Sequence, residues 1–119
     1  MSRITLPDRR VNYTREIEFH GSIFTVCVGF DRAGSPKEVF ADSANGGSAM
    51  AAIISDACVI ISIALQHGIS PANLGKSLGR EPDPIQGEGA DRAASPIGRI
   101  VEVVVTPLDR VLADIREGA

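Results

Sequence analysis

The stretch "ANGGSAMAAIISDACVIISIALQHG", from Ala44 to Gly68, decides the fold. From Ala49 to Leu65 it carries one charge, Asp56, and two other polar side chains, both serines. A membrane span, a cofactor-binding helix and the core helix of a small domain could all look like this. The run is shorter than the ~20 residues that cross a bilayer, and no aromatic belt or Lys cluster flanks it. We therefore predict no membrane span, but a helix of residues 48–67 inside a folded domain.

A helix that is apolar on nearly all sides is expected to be buried. Its alanines and serines would let other backbones approach closely, and Gly68 suits the position after the helix end. The helix is apolar on more sides than one small sheet can cover. Either the C-terminal helices or a second copy of the chain must cover the rest, and we favour a homodimer.

Three strands are predicted before this helix. Residues 11–21 alternate in polarity with a period of two, as a half-buried strand does. His20-Gly21 makes a tight connection to residues 22–30, which are rich in β-branched and aromatic side chains. After a turn, residues 37–43 form a third short strand. This spacing predicts an antiparallel three-stranded meander.

Three helix starts are predicted after the long helix, each marked by a capping residue followed by proline. These pairs are Ser70-Pro71, Ser95-Pro96 and Thr106-Pro107. An apolar stripe at helical spacing continues from Ile97 beyond Pro107, which should kink or break the helix there. The segment "VEVVV", residues 101–105, fits either a strand or a helix, and both alternatives stay open.

The expected fold class is therefore α+β, with the meander packed on the long helix and two or three shorter helices. Residues 1–10 are expected to be a flexible lead-in to a single domain of residues 11–119. Within that domain, residues 79–94 are rich in glycine, proline and charge. They are expected to form a long exposed loop.

The bulk composition excludes several functional classes. With 12 basic and 15 acidic residues the net charge is −3, which gives no electrostatic case for nucleic acid or anionic membrane. Cys27 and Cys58 lie in apolar runs and form neither a zinc signature nor a disulfide framework. The first ten residues lack the apolar core of a signal peptide. We expect a cytoplasmic protein with no metal and no cofactor.

One candidate ligand site lies at the start of the long helix. Asn45, Gly46, Gly47 and Ser48 could present free backbone N–H groups to a phosphate or carboxylate. The segment has neither the Walker spacing nor its lysine, and a turn followed by an N-cap explains it equally well. Arg99 is the other candidate ligand-binding residue.

Asp56 is the most unusual single residue, because a buried carboxylate must be paired or protonated. Its neighbours one turn away, Ala52 and Ile60, cannot pair with it. If Asp56 is buried and ionised, we predict that Arg99 pairs with it, because a guanidinium group fits a carboxylate in two places.

Four pieces of the sequence resemble the TSCPD domain, in the order that this family has them. They are "GSPKEVF" (Gly34 to Phe40), Gly47-Ser48, "ISIALQHGISP" (Ile61 to Pro71) and "SPIGRI" (Ser95 to Ile100). The resemblance covers about residues 22–104. This domain is found at the C-terminal end of adenosylcobalamin-dependent ribonucleotide reductases, and also as small free-standing proteins.

The resemblance implies kinship with ribonucleotide reductase, but the residues argue against its chemistry. The Thr-Ser-Cys-Pro-Asp motif is replaced here by Ala93-Ala94-Ser95-Pro96-Ile97, so a thiol role at that place is excluded. A chain of 119 residues holds neither the reductase barrel nor its set of cysteines. We expect a non-catalytic binding or regulatory module in deoxyribonucleotide and DNA metabolism, acting through a nucleotide or a reductase partner. The alternatives are an enzymatic activity associated with the reductase and a purely structural, oligomerising protein.

Overall fold

A computed structural model describes residues 12–43 and 48–106 of the chain. Eight elements follow one another in these two segments. They are β1 (Asn12–Phe19), β2 (Ser22–Phe30), β3 (Pro36–Ser43), α1 (Ala49–Gln66), α2 (Pro71–Gly75), β4 (Arg80–Pro82), β5 (Asp91–Ala93) and α3 (Pro96–Val105). The α+β fold and the three-stranded antiparallel sheet are confirmed. The predicted lead-in of residues 1–10 and the predicted helix after Thr106-Pro107 lie outside the described residues.

The sheet has the order β1-β2-β3, with antiparallel pairing throughout. His20 and Gly21 close the first hairpin with positive φ angles of 49° and 85°, the backbone that a two-residue hairpin turn needs. One face of the sheet is buried, and its side chains alternate along the strands as a pleated sheet requires. The buried residues on this face are Ile17, Phe24, Val26, Val28, Phe30 and Val39.

The helix α1 lies along the β3 edge of the sheet and runs antiparallel to β3. The hydroxyl of Ser62 accepts a hydrogen bond from Val39 N–H at 3.0 Å and donates one to Val39 C=O at 3.3 Å. One turn later, the Gln66 amide donates to Lys37 C=O at 3.2 Å. These backbone groups lie on the side of β3 that β2 does not use. The helix therefore covers part of an exposed sheet edge, which would otherwise be open to pairing with another chain.

The ends of α1 match the prediction of residues 48–67 closely. The Ser48 hydroxyl accepts from Ala51 N–H at 3.1 Å and caps the first turn. At the other end, Gly68 has φ 88°, its N–H bonds Leu65 C=O, and Ile69 N–H bonds Ala64 C=O. This pair of bonds is the Schellman motif that glycine favours after a helix.

The predicted burial of α1 is wrong for half of its circumference. Four of its side chains are buried against the sheet and α3: Ile54, Cys58, Ile61 and Leu65. Its opposite side is exposed. Because the helix lies over one edge of a narrow sheet, and α3 covers the middle, only one side of α1 reaches the core.

The helix α3 settles the ambiguity of residues 101–105, which are helical. The Ser95 hydroxyl caps it by accepting from Gly98 N–H at 3.1 Å, and Pro96 occupies its first turn, as predicted. Four apolar side chains of α3 are buried: Ile100, Val101, Val103 and Val104. These side chains reach several elements, because α3 packs on β1, β2 and α2 as well as on α1.

Residues 79–94 contain structure that the sequence did not predict. β4 and β5 form an antiparallel hairpin, with Glu81 opposite Arg92. Arg92 Nη2 lies 3.0 Å from Glu81 Oε2, and Arg80 Nη2 lies 2.6 Å from Asp91 Oδ1. Most residues between the two strands are exposed. The charges that made the segment too polar to form a core therefore join the two short strands.

Candidate functional site

The largest functional candidate in the described structure is the exposed side of α1. Five large apolar side chains of the helix are each more than 40% exposed: Met50, Ile53, Val59, Ile60 and Ile63. We call these five residues the outer face. Ile60 is the most open of them at 67%, and Asp56 lies among them as the one charged residue of α1. Phe40 on β3 is 59% exposed and adds an aromatic ring beside the helix.

A groove of about 490 Å³ runs between β3 and α1 and joins Phe40 to the outer face. Val59 and Ile63 line its helix side, and Ala41 and Asp42 line its strand side. The outer face and the groove thus form one apolar surface. Large exposed patches of this kind mark interaction sites in folded proteins, because apolar area in contact with water is unfavourable.

Cys58 lies at the bottom of this groove and is buried. Burial raises the pKa of its thiol to about 11, and the nearby Asp42 carboxylate adds to the increase. Since the thiolate is the reactive form of cysteine, this environment stabilises the unreactive thiol. Cys58 acts as a small apolar core residue here.

A second, smaller cavity of about 270 Å³ lies between α2, β4, β5 and α3. Glu102 on α3 borders it, and its Oε1 lies 3.8 Å from Nη1 of Arg80 and 3.8 Å from Nη1 of Arg99. This oxygen is buried and has no hydrogen-bond partner within the described part of the chain. The hydrogen bond from Arg80 to Asp91 raises the pKa of Arg80 above its ordinary value. Two guanidinium groups therefore surround one poorly satisfied carboxylate oxygen.

The described residues contain no ion pair between Asp56 and Arg99. Asp56 is exposed on α1, so the burial that would have required a partner is absent. No hydrogen bond or salt bridge of Asp56 occurs among the described residues, and Arg99 contacts Glu102 of its own helix. The predicted pair is therefore replaced by an exposed Asp56 and a contact between Arg99 and Glu102. The helical period places Asp56 on the solvent side of α1, because Ile60, one turn away, is also exposed.

The predicted ligand site is described only in part. Asn45, Gly46 and Gly47 lie outside the described residues. Ser48 is exposed and its hydroxyl caps α1. Arg99 is half-buried next to the second cavity, which Ser48 does not line. Ligand binding by these five residues remains a prediction. Among the described residues, no cluster of three His, Cys, Asp or Glu side chains is placed to hold a metal ion.

Sequence reasoning did not find the two cavities or the cluster around Glu102. The signal for the cluster was the spacing of Arg99 and Glu102, which places both on one side of a helix. Its third member, Arg80, belongs to the β4–β5 hairpin, in a segment where the sequence predicts a loop. For the outer face the signal was present, since the excess of apolar residues in α1 indicated a surface that one sheet cannot cover.

These features define a class of small α+β domain in which a long helix protects a sheet edge and presents an apolar side to solvent. The TSCPD domain family model matches residues 3–105 and so covers most of the chain, which belongs to this family. Comparison with curated proteins and with solved structures gives no match. The matched residues include Ser95-Pro96, where the structure shows a helix cap in place of the motif that gives the family its name.

Proposed function

We propose that this chain is a non-catalytic binding and regulatory module of the TSCPD family. It acts by contacting a protein in deoxyribonucleotide and DNA metabolism, and a ribonucleotide reductase is the first candidate partner. The cytoplasm, where that metabolism takes place, is its proposed location. The observation that carries the proposal is the outer face of α1 with the adjoining Phe40.

The exposed apolar area of this surface favours a protein partner. The outer face and Phe40 together expose six large apolar side chains on one side of a small domain. Fully burying such a side chain is worth about 1.5–3 kcal/mol relative to leaving it exposed. A protein partner that covers this surface would therefore gain binding energy from residues that contribute little to the stability of the isolated chain.

The family kinship supplies the identity of the first candidate partner. The resemblance to the C-terminal domain of adenosylcobalamin-dependent ribonucleotide reductases places related domains next to the reductase chain. A free-standing copy could bind where the attached copy lies, or bind the attached copy itself. The helix-capping role of Ser95 and the raised pKa of the Cys58 thiol favour a binding role over thiol chemistry.

The experiment is a titration of this chain into a purified adenosylcobalamin-dependent ribonucleotide reductase, followed by calorimetry. We expect saturable binding to the reductase, and we expect Ile60→Asp to abolish it. The matched control is Ile85→Asp, the same change at a residue of the 79–94 segment that is 83% exposed and away from α1. Absence of binding by the native chain, or equal binding by both variants, contradicts the proposal.

A second candidate function is nucleotide binding through phosphate, which the Glu102 cluster favours. Arg80 and Arg99 both point a guanidinium nitrogen at one carboxylate oxygen from 3.8 Å, beyond hydrogen-bond length. A phosphate group offers more acceptors in the same place, and arginine binds phosphate through two parallel hydrogen bonds. The adjoining cavity of about 270 Å³ leaves room beside these side chains.

Thermal unfolding with added ATP, dATP or inorganic phosphate tests this second candidate. A ligand that binds only the native state raises stability by about 2.7 kcal/mol at a hundredfold excess over its dissociation constant. We expect a stabilising shift with the nucleotides that Arg99→Gln removes. Lys76→Gln, at an exposed lysine on the end of α2, is the control for general loss of positive charge. A shift that survives Arg99→Gln excludes this site.

A further inference from the structure

The exposed side of α1 carries a heptad seam. Its residues are spaced alternately by four and three positions: Ala49, Ile53, Asp56, Ile60 and Ile63 in the helix, and His67, its C-cap residue. All six are exposed. The buried residues of the same helix, Ile54, Cys58, Ile61 and Leu65, follow the same spacing toward the core. Alternate spacing by four and three keeps one side of a helix facing a partner helix over several turns. The helix thus has two seams, of which one packs against the core and the other is exposed to solvent.

We propose that the partner of the exposed seam is a second copy of this chain, which packs its α1 antiparallel across a two-fold axis. In this arrangement Asp56 lies beside His67 of the partner subunit, and the reciprocal contact forms at the other end. The inference rests on the proposed function, because it names a partner for the same surface. Self-association then competes with the binding of another protein and regulates it.

The positions of the acidic and basic side chains select the register of the two helices. In an antiparallel pair, each step toward the C-terminus on one helix is a step toward the N-terminus on the other. When Asp56 faces His67 of the partner subunit, Ile60 therefore faces Ile63 of the partner subunit. Both contacts occur twice because the pair is symmetric. One register thus joins the apolar centre of the seam and pairs an acidic with a basic side chain at each end.

The alternative registers are less favourable. A shift of one heptad places Asp56 opposite Ile60 of the partner subunit, where a carboxylate loses water and gains no partner. Pairing the helices about Asp56 itself would bring two carboxylates together. In the proposed register, Ile53 instead lies near residues 69–70 of the partner, where Ile69 is 45% exposed. The apolar contact therefore extends past the helix end.

A membrane is a poorer occupant of this face than a second copy. Within the described residues, α1 is the one helix long and apolar enough to cross a bilayer. Ser62 and Gln66, however, tie its inner side to the backbone of β3, so the helix cannot leave the sheet without stranding those backbone groups. Asp56 on the outer side would also enter the lipid without a partner.

The first experiment measures self-association of the full chain by sedimentation equilibrium. We expect the native chain to form dimers, and Ile60→Asp to raise their dissociation constant at least about thirtyfold, the effect of losing an interface hot spot. Ile85→Asp is the matched control and should leave the dissociation constant unchanged. Far-ultraviolet circular dichroism checks that each variant is folded, which is expected because both side chains are exposed.

The second experiment tests the register by exchanging charges. Asp56→Lys places two basic side chains together in its own dimer, and His67→Glu places two acidic side chains together, so each variant should dimerise more weakly than the native chain. Mixed in equal amounts, the two variants should form a heterodimer. In it the new lysine faces the new glutamate, and Asp56 faces His67 at the other end. Recovery of dimerisation in the mixture is the expected result.

Several outcomes overturn this inference. A native chain that stays monomeric excludes a second copy of the chain as the occupant of this face. An unchanged dimer in Ile60→Asp places the interface elsewhere, and a mixture that does not recover excludes the register. Binding of the monomer to phosphatidylcholine–phosphatidylglycerol vesicles, with Ile60 required, makes the occupant a membrane. If the chain dimerises as described but does not bind a reductase, the proposed function fails and this inference stands.

Discussion

At the scale of single residues, Ser62 joins the long helix to the edge of the sheet. One hydroxyl satisfies both the N–H and the C=O of Val39, which is 1% exposed. A neighbouring strand would normally satisfy such groups at a sheet edge. At Val39, Ser62 therefore makes the hydrogen bonds that a fourth strand would otherwise make, and this allows α1 to pack against the sheet edge.

We predict that Ser62→Ala lowers the free energy of unfolding by about 1–3 kcal/mol, because two buried backbone groups lose their partner. Ser55→Ala is the control: Ser55 is exposed on the same helix, so the change alters helix propensity alone. Urea denaturation of the two variants measures the difference. Equal stabilities would show that water replaces the hydroxyl at β3.

Cys58 gives a prediction of pH dependence. Burial and Asp42 raise the pKa of its thiol from 9.0 to about 11 in the folded chain. Between these values the unfolded chain loses the thiol proton while the folded chain keeps it. The contribution of this thiol to stability is therefore complete below about pH 9 and is lost as the pH rises toward 11.

The measurement is urea denaturation of the native chain and Cys58→Ala at several pH values between 8 and 11, in about the range where a free thiol titrates. The difference in unfolding free energy between the two proteins should shrink as the pH rises. Taking the difference removes the contribution of every other group, because both proteins share them. A constant difference would mean that the Cys58 thiol ionises as readily in the folded chain as in the unfolded one.

At the scale of elements, the contact between α3 and β5 depends on a glycine. A Cβ atom at Gly98 would lie 2.9 Å from the Cβ of Ala93, closer than such atoms approach in proteins. Ala93 cannot rotate away, because its Cβ is fixed to the backbone of β5. The small side chains at these two positions therefore let α3 pack closely on the hairpin.

Gly98→Ala is expected to destabilise the fold by about 1–3 kcal/mol, although alanine favours helices, because overpacking must shift β5 or α3. Gly79→Ala is the control, since its Cβ would meet Ala94 at an ordinary 3.6 Å. The double variant Gly98→Ala with Ala93→Gly should recover part of the loss. Thermal unfolding of these variants, together with Ala93→Gly alone, checks this. Purely additive losses would place the strain elsewhere.

The elements differ in how far the sequence alone predicts them. The starts of α1, α2 and α3 could be predicted from the sequence, because each has a serine N-cap followed by a proline or an apolar run. These signals depend only on residues within one helical turn of the start. The β4–β5 hairpin was not readable. Its two strands have three residues each, and they are joined by salt bridges between residues eleven positions apart. A local pattern cannot show such pairing.

At the scale of the whole molecule, the sequence predicted the apolar character of α1 but not its orientation. Periodicity could not choose between a central helix and an edge helix, because the helix is apolar on almost every side. The choice comes from Ser62 and Gln66, which bind β3, and from α3, which occupies the middle of the sheet. The candidate site follows from this geometry. The condition for the Asp56–Arg99 pair is absent for the same reason, since the pair required Asp56 to be buried and Asp56 is exposed.

Adjacent residues of α1 provide a matched test of this arrangement. Ile60 is 67% exposed and Ile61 is 6% exposed, so the same substitution samples the two sides of one helix. In dilute solution Ile61→Ala should lower the unfolding free energy by about 2–5 kcal/mol, because it leaves a cavity in the core. Ile60→Ala should change it by less than about 0.5 kcal/mol, as exposed substitutions do.

The dependence of stability on protein concentration then shows whether the outer face of α1 is exposed to water or packed against a second copy. Association stabilises the native state by mass action, so the unfolding temperature of the native chain should rise with its concentration. Ile60→Ala should reduce that rise while leaving the dilute value unchanged, and Ile61→Ala should lower the unfolding temperature at every concentration. Scanning calorimetry over a hundredfold range of protein concentration measures both effects. Such a range changes the free energy of association by about 2.7 kcal/mol. If the unfolding temperature of the native chain does not depend on its concentration, a second copy does not cover the outer face. That face is then exposed to water in the isolated chain, and a different protein would have to cover it.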